Sequence, residues 1–252
     1  MQLVIPMAGL GQRFRDRGYT LPKPLIPVDG VPMIARVLRG LPPASRVVCV
    51  VHPDHVNQHG IDEVLRRLVP GCDVVETPGV TAGQACSARL AVELLDPMES
   101  VCVAACDNTH LYDVDAFRTL TRDGAECVVW TYRHEPRVLV HPEAYGWVRV
   151  ENGRVNAVSV KRPISRSPLE DHVVSGTFWF RSARLMAEAV DRVVASGRRV
   201  NNEVYLDAVA DDLAGGGHDV RVFEVLKYIG WGTPADLDDY HLWSRYVRSL
   251  TC

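Results

Sequence analysis

Four short, almost unbroken apolar runs punctuate the first half of the chain: "QLVIP" (2–6), "RVVCVVH" (46–52), "CDVVE" (72–76) and "SVCVAAC" (100–106). A strand with one wet face alternates apolar and polar residues, so runs that do not alternate mark strands covered on both faces, as in a parallel sheet. Between them "VPMIARVLRGL", "HGIDEVLRRLV" and "GQACSARLAVELL" space their apolar residues three and four apart, the signature of a helix face. The result is a βαβ series, and 252 residues suffice to bury one such α/β core as a single domain, a mostly parallel central sheet flanked by helices. Such sheets bind ligands at the carboxyl ends of their strands.

The second half changes character. "AYGWVRVENGRVNAVSV" alternates on each side of Asn152-Gly153, a pair suited to a tight hairpin turn. "HVVSGTFWFR" and "GGGHDVRVFEV" read as strands, with helices expected near 182–195 and 201–214. The tail "TPADLDDYHLWSRYVRS" opens on Thr-Pro, an N-cap followed by a first-turn proline, and continues as an amphipathic helix. No repeat, low-complexity linker or run of 18 apolar residues interrupts the chain.

Charge narrows the function classes. With 28 Lys+Arg against 31 Asp+Glu the formal charge is −3, which creates no broad field for nucleic acid or an anionic membrane, so any phosphate site must be local. Lysine is scarce: Lys23, Lys161 and Lys227 are the full set. Seven cysteines, an odd number lying mostly within apolar runs, suit reduced core thiols, and with no secretory leader the expected location is the cytoplasm.

The stretch "MAGLGQRFRDRGYTLPKPLIPVDG" (7–30) follows the first strand directly. Ala8, Gly9 and Gly11 let the backbone turn tightly and bring amide N–H groups against an anion. A dinucleotide loop is the rival, but Phe14 stands where its third glycine belongs and no acid closes the second strand. Arg13, Arg15, Arg17 and Lys23 oppose the single Asp16, and Pro22 and Pro24 restrict the backbone around Lys23, so the expected ligand is a polyanion.

The order Gly9-x-Gly11-x-Arg13, Pro22-Lys23-Pro24-Leu25, Asp29-Gly30-x-Pro32-Met33-Ile34 resembles the N-terminal signature of the nucleotidylyltransferases, or NDP-sugar pyrophosphorylases. The resemblance implies a Rossmann-like, GT-A-like fold with residues 1–108 as a nucleotide-binding lobe and 109–252 as an acceptor-binding lobe. It implies a loop from Ala8 to Arg13 around the triphosphate, Arg13 on the β/γ-phosphates, and Lys23 between the α-phosphate and the attacking phosphate. "TAGQACSA" is similar to the segment that reads the base, implicating Thr81 and Gln84; "ACDN" makes Asp107 the Mg²⁺ ligand. "YGWVRVENGRV", "SVKRP" and "VSGTFWF" resemble acceptor-site segments, implicating Gly146, Lys161 and Gly176. Glu203 in "NNEVY" reads either as an acceptor contact or as a first-turn helix acid. Two departures stand out: Gly230 in "GWGTP" replaces the aspartate that serves relatives as second metal ligand, and Val160 replaces the glutamate before the acceptor lysine. The short bacterial capsule and cell-surface members, including cytidylyl-transferring ones, look most alike.

The expected activity is transfer of NMP from an NTP to a small phosphorylated acceptor, with pyrophosphate released and Mg²⁺ as cofactor. Nucleic acid and membrane are not expected partners, and a homo-oligomer is left open. The alternatives are a cytidylyltransferase for a non-sugar phosphate or phosphonate, and a non-catalytic nucleotide sensor.

Overall fold

The computed structural model describes residues 1–250. In chain order the strands are β1 (Gln2–Met7), β2 (Pro27–Val28), β3 (Val31–Pro32), β4 (Val47–Val51), β5 (Asp73–Glu76), β6 (Val101–Ala104), β7 (Asn108–Leu111), β8 (Cys127–Tyr132), β9 (Gly146–Glu151), β10 (Arg154–Val160), β11 (His172–Phe180), β12 (Val220–Glu224) and β13 (Lys227–Gly230). The helices are α1 (Gln12–Arg15), α2 (Met33–Arg39), α3 (Pro53–His59), α4 (Ile61–Leu68), α5 (Gln84–Arg89), α6 (Val114–Arg122), α7 (Ala183–Ala195), α8 (Leu206–Gly215) and α9 (Pro234–Ser249).

Nine strands form one sheet in the order β5-β4-β1-β6-β11-β8-β12-β10-β9. Strands β5, β4, β1 and β6 pair in parallel, β8, β12 and β9 share their direction, and only β10 and β11 are reversed. Both faces are covered. Ile5, Trp130, Trp147 and Phe223 belong to one buried cluster, while Val4, Val129 and Phe178 join the inward sides of α7 and α8 in the other. This two-sided burial is why the strand sequences do not alternate.

The hairpin turn is as expected, with Asn152 and Gly153 both at positive φ (52° and 76°) between β9 and β10. Thr233 caps α9 and exchanges hydrogen bonds with Asp236, a complete capping box. The motif acid Asp29 has a structural task. It accepts from the Tyr240 and Ser244 hydroxyls and pairs with Arg36 and Arg248, tying α9 to the β2–β3 turn.

Three readings need correction. The expected helix at 201–214 begins only at Leu206, because Asn201 and Asn202 take left-handed backbone (φ 50° and 64°) and Val200 bridges Glu203. Asparagine tolerates that conformation better than most residues, and two in succession end any helical path. Glu203 therefore lies outside the first turn of α8. The segment 83–95 is not one helix: α5 stops at Arg89 and the chain tightens into a 3₁₀ turn at Val92–Leu94. The sequence reading also assigned no strand to "CVVWTY", yet β8 is wholly buried at the centre of the sheet, between β11 and β12. The six cysteines among the described residues are free thiols; Cys252 lies outside them.

Candidate active site

The loop after β1 sets the first wall. Gly11 (φ 65°) opens α1, whose Phe14 is buried and meets Tyr19 edge-on at 5.2 Å. A side chain on Gly11 would come within 3.3 Å of the Lys23 Cβ, so glycine here allows the loop to lie against the lysine segment. Pro22 is extended, and the chain then makes one 3₁₀ turn, Lys23–Leu25, with Pro24 and Leu25 buried beneath it. The backbone at Lys23 is thereby fixed from both sides.

The Lys23 ammonium donates to Asp107 Oδ2 at 2.6 Å, each side chain being about one-fifth exposed (21% and 20%). Asp107 follows β6. Its main-chain carbonyl accepts from the Trp231 N–H at 2.7 Å, and its Oδ1 accepts from Asn108, which also donates to the Ser175 carbonyl. Burial works against both charges. For Lys23 the Asp107 carboxylate outweighs it and raises the pKa above the ordinary lysine value. For Asp107 the charge and hydrogen bond of Lys23, helped by Asn108 and Arg13, lower the pKa. Both groups are ionised across the physiological range.

This pair lines a cavity of about 880 Å³. Arg13, Lys23, Gln84, Asp107, Gly146 and Gly176 of the expected residues line it; Ala8, Gly9, Gly11, Thr81, Lys161 and Glu203 stand outside its lining. Arg15 and Arg17 also stay off the lining, so two of the four cations of the opening stretch face the cavity. The Thr81 hydroxyl shares a hydrogen bond with Ser87 Oγ at 2.6 Å and serves the base of α5. Lys161 sits just past β10 with positive φ (57°), its N–H on the Tyr145 carbonyl and its ammonium 5.2 Å from the centre of the Tyr205 ring. Tyr205 and Tyr145 are themselves lining residues. The Glu203 carboxylate accepts the Tyr205 hydroxyl and so positions that ring.

Gly83 joins the two sides. At φ 107° it leads into α5, and a Cβ there would fall 2.7 and 2.8 Å from the backbone O and N of Val204. Strained φ and backbone overlap act together, so Gly83→Ala should cost about 1–3 kcal/mol and lower Tm by roughly 3–10 °C. A Tm within 1 °C of wild type in a thermal melt would show that this contact is not tight.

Sequence reasoning missed Tyr205, Asp207, Arg137 and Asp236, which come from α8, from a 3₁₀ turn at Pro136–Leu139 and from α9. Asp207 carried one signal, an acid inside the otherwise apolar "VYLDAVA". Among the described residues no three His, Cys, Asp or Glu side chains gather as a metal cage. The space of a Cβ on Gly232 is flanked by Asp107 Oδ2 at 3.2 Å and Asp236 Oδ2 at 3.9 Å, and Asp236 is already engaged by the Thr233 N–H and hydroxyl. Asp107, paired with Lys23 but open to the cavity, fits Mg²⁺, which takes one or two carboxylates and fills its shell with phosphate and water.

Comparison with known proteins identifies the fold and the family. No curated protein sequence matches the chain. The fold matches the nucleoside-diphosphate-sugar pyrophosphorylase of Vibrio cholerae RC9 with a TM-score of 0.78 at 19% identity, over 94% of this chain and 98% of that one. It matches the inositol-1-phosphate CTP transferase of T. maritima with a TM-score of 0.74 at 21% identity, over 96% and 94%. A UTP-bound UGPase from Acinetobacter baumannii matches with a TM-score of 0.69 at 16% identity, over 96% and 92%. These likenesses fix the fold. The family model described as the MobA-like NTP transferase domain matches residues 3–152, more than half of the chain, and with it the protein belongs to that family of nucleotidyltransferases.

Proposed function

We propose that the protein transfers a nucleoside monophosphate from an NTP to a small phosphorylated acceptor and releases pyrophosphate. The observation that carries this reading is the Lys23–Asp107 pair in the wall of a cavity that also exposes Arg13 and Gln84, and the backbone of Gly146 and Gly176. An oxygen of the acceptor phosphate forms a bond to the α-phosphorus as the bond to the bridging α–β oxygen breaks, and both electrons of that bond leave with pyrophosphate. The reaction asks for alignment and neutralisation of charge and needs no protein nucleophile. Lys23, cationic at neutral pH, stands where charge builds on the α-phosphate, Arg13 takes the β- and γ-phosphates, and Gln84 faces the base. A divalent cation, which we take to be Mg²⁺, supplies further neutralisation when bound, with Asp107 as its protein ligand.

Residues 1–108 serve the NTP in this reading and 109–252 the acceptor. Lys161, held near Tyr205 beside the cavity, answers the acceptor phosphate after a short rotation of its flexible stem. Lys161→Ala should raise the acceptor KM roughly 10- to 100-fold, the worth of a charge-assisted hydrogen bond, with Lys161→Arg restoring it in part. NTP affinity measured calorimetrically without acceptor should stay within twofold; an equal loss there would overturn the division into lobes.

The deciding experiment is a pyrophosphate-release screen of the common NTPs against phosphorylated sugars, polyols and amino alcohols with Mg²⁺. Turnover with one pair establishes the activity, and tight NTP binding with no release against any acceptor overturns it.

A further inference from the structure

Asp207 stands apart from the other acids of the cavity wall. Asp107 is paired with Lys23, Glu135 with Lys227, and Asp236 and Asp239 with Arg137. Asp207, in the first turn of α8, lines the same cavity and is only 9% exposed, yet among the described residues no other side chain reaches its carboxylate within hydrogen-bond or ion-pair distance. Burial pushes its pKa up to about 6, against the opposing pull of its own main-chain N–H and of Lys161. A buried carboxylate with no side-chain donor is costly, and its own main-chain N–H and the field of Lys161 offset only part of that cost.

Its position is built in. A Cβ on Gly146 would overlap the Asp207 carboxylate, so only glycine at the start of β9 leaves room for it. Gly146 pairs with Val160 across the β9–β10 ladder, which puts both positions on one face. The carboxylate from α8 thus stands against the start of β9, whose ladder partner is Val160. Tyr145 and Tyr205 flank it on the cavity wall.

Resting on the transferase reading above, we propose that Asp207 is a specificity residue of the acceptor site, its carboxylate accepting hydrogen bonds from hydroxyl groups of a phosphorylated sugar or polyol. Hydroxyls supply the missing donors without adding charge. An alkylammonium acceptor would compensate the carboxylate but would meet the like charge of Lys161, the charged group whose field reaches Asp207; the other close neighbours, Gly146 and Val174, carry none.

The test measures pyrophosphate release with glucose 1-phosphate, myo-inositol 1-phosphate and phosphocholine, in the wild-type protein and in Asp207→Asn and Asp207→Glu. A hydroxyl-bearing acceptor should be used and phosphocholine not. Asp207→Asn should raise the acceptor KM roughly 10- to 100-fold, with NTP affinity within twofold and Tm at pH 8 held or raised, because an unpaired buried charge is gone. The wild-type acceptor KM should also climb as pH falls through about 6, where the carboxylate takes up its proton, and the climb should be shallower in Asp207→Asn, in which only the acceptor phosphate's own second ionisation remains. Asp207→Glu should restore part of the affinity.

An acceptor KM within threefold of wild type, a pH dependence as steep in Asp207→Asn as in wild type, or phosphocholine as the preferred acceptor would overturn the assignment. So would a lower Tm with unchanged KM, the mark of a purely structural residue. No release with any acceptor would instead bring down the transferase reading and this proposal with it.

Discussion

Lys23→Ala is expected to lower kcat by about 10²-fold or more while the protein stays folded, because it removes a cation whose attraction strengthens as charge builds on the α-phosphate. The fold should tolerate the loss. Both partners of the Lys23–Asp107 pair are partly open to solvent, and water entering the cavity solvates the carboxylate left behind, so the change in stability should be about 1 kcal/mol or less. A thermal melt alongside the kinetics separates the two effects, and a variant with more than about a tenth of the wild-type kcat would remove Lys23 from the reacting phosphate.

The pH profile gives an independent check on the same pair. Lys23 has its pKa raised above the ordinary 10.5, so its contribution is present below that value and fades only as pH rises through the higher folded value. Asp107 has its pKa lowered below 3.8, so its contribution is present above 3.8 and fades only as pH falls through the lower one. Between about pH 5 and 9 the pair does not titrate, and whatever acid limb near pH 6 in the acceptor KM exceeds that of the acceptor phosphate itself belongs to Asp207.

Asp107→Asn is the second large effect. A neutral amide is a poor ligand for a hard dication, so Mg²⁺-dependent turnover should fall about 10³-fold or more at saturating substrate. The same substitution releases Lys23 from its ion pair, and the freed ammonium can meet phosphate directly. Metal-free NTP should therefore bind the variant at least as well as wild type, while added Mg²⁺ should no longer tighten binding. Calorimetry with and without Mg²⁺ reads both. An unchanged Mg²⁺ dependence would move the metal from Asp107, with Asp236 across Gly232 the next carboxylate to examine.

Much of the fold was legible because burial on both faces of a sheet and on one face of a helix leaves different periodicities in the chain. The first-half strands β1, β4, β5 and β6, the Asn152-Gly153 turn and the Thr233 cap were read from such local rules. The strand β8 is apolar and as short as its neighbours, and α6 precedes it, but only 3₁₀ turns and loop follow it before β9, so it lacks the second helix that frames the first-half strands. Two consecutive left-handed asparagines moved the start of α8 by five residues, a detail of backbone conformation that side-chain pattern does not encode.

The chain by itself determined where Gly11, Lys23 and Asp107 lie, at strand ends or between prolines, because local backbone limits act on neighbours in sequence; the roles proposed for Lys23 and Asp107 came from the resemblance to the nucleotidylyltransferase signature. The wall proposed for the acceptor was completed only by the tertiary structure, which joined to Gly146 and Gly176 residues that the sequence had not singled out. Gly146 of β9, Tyr205 and Asp207 at the start of α8 and Arg137 of a 3₁₀ turn come from three separate elements, and nothing in their spacing records that α8 lays a carboxylate over the one glycine that leaves room for it. Local conformation depends on neighbours in sequence, whereas a pocket assembled across a sheet depends on crossings that are set by the packing of the whole core.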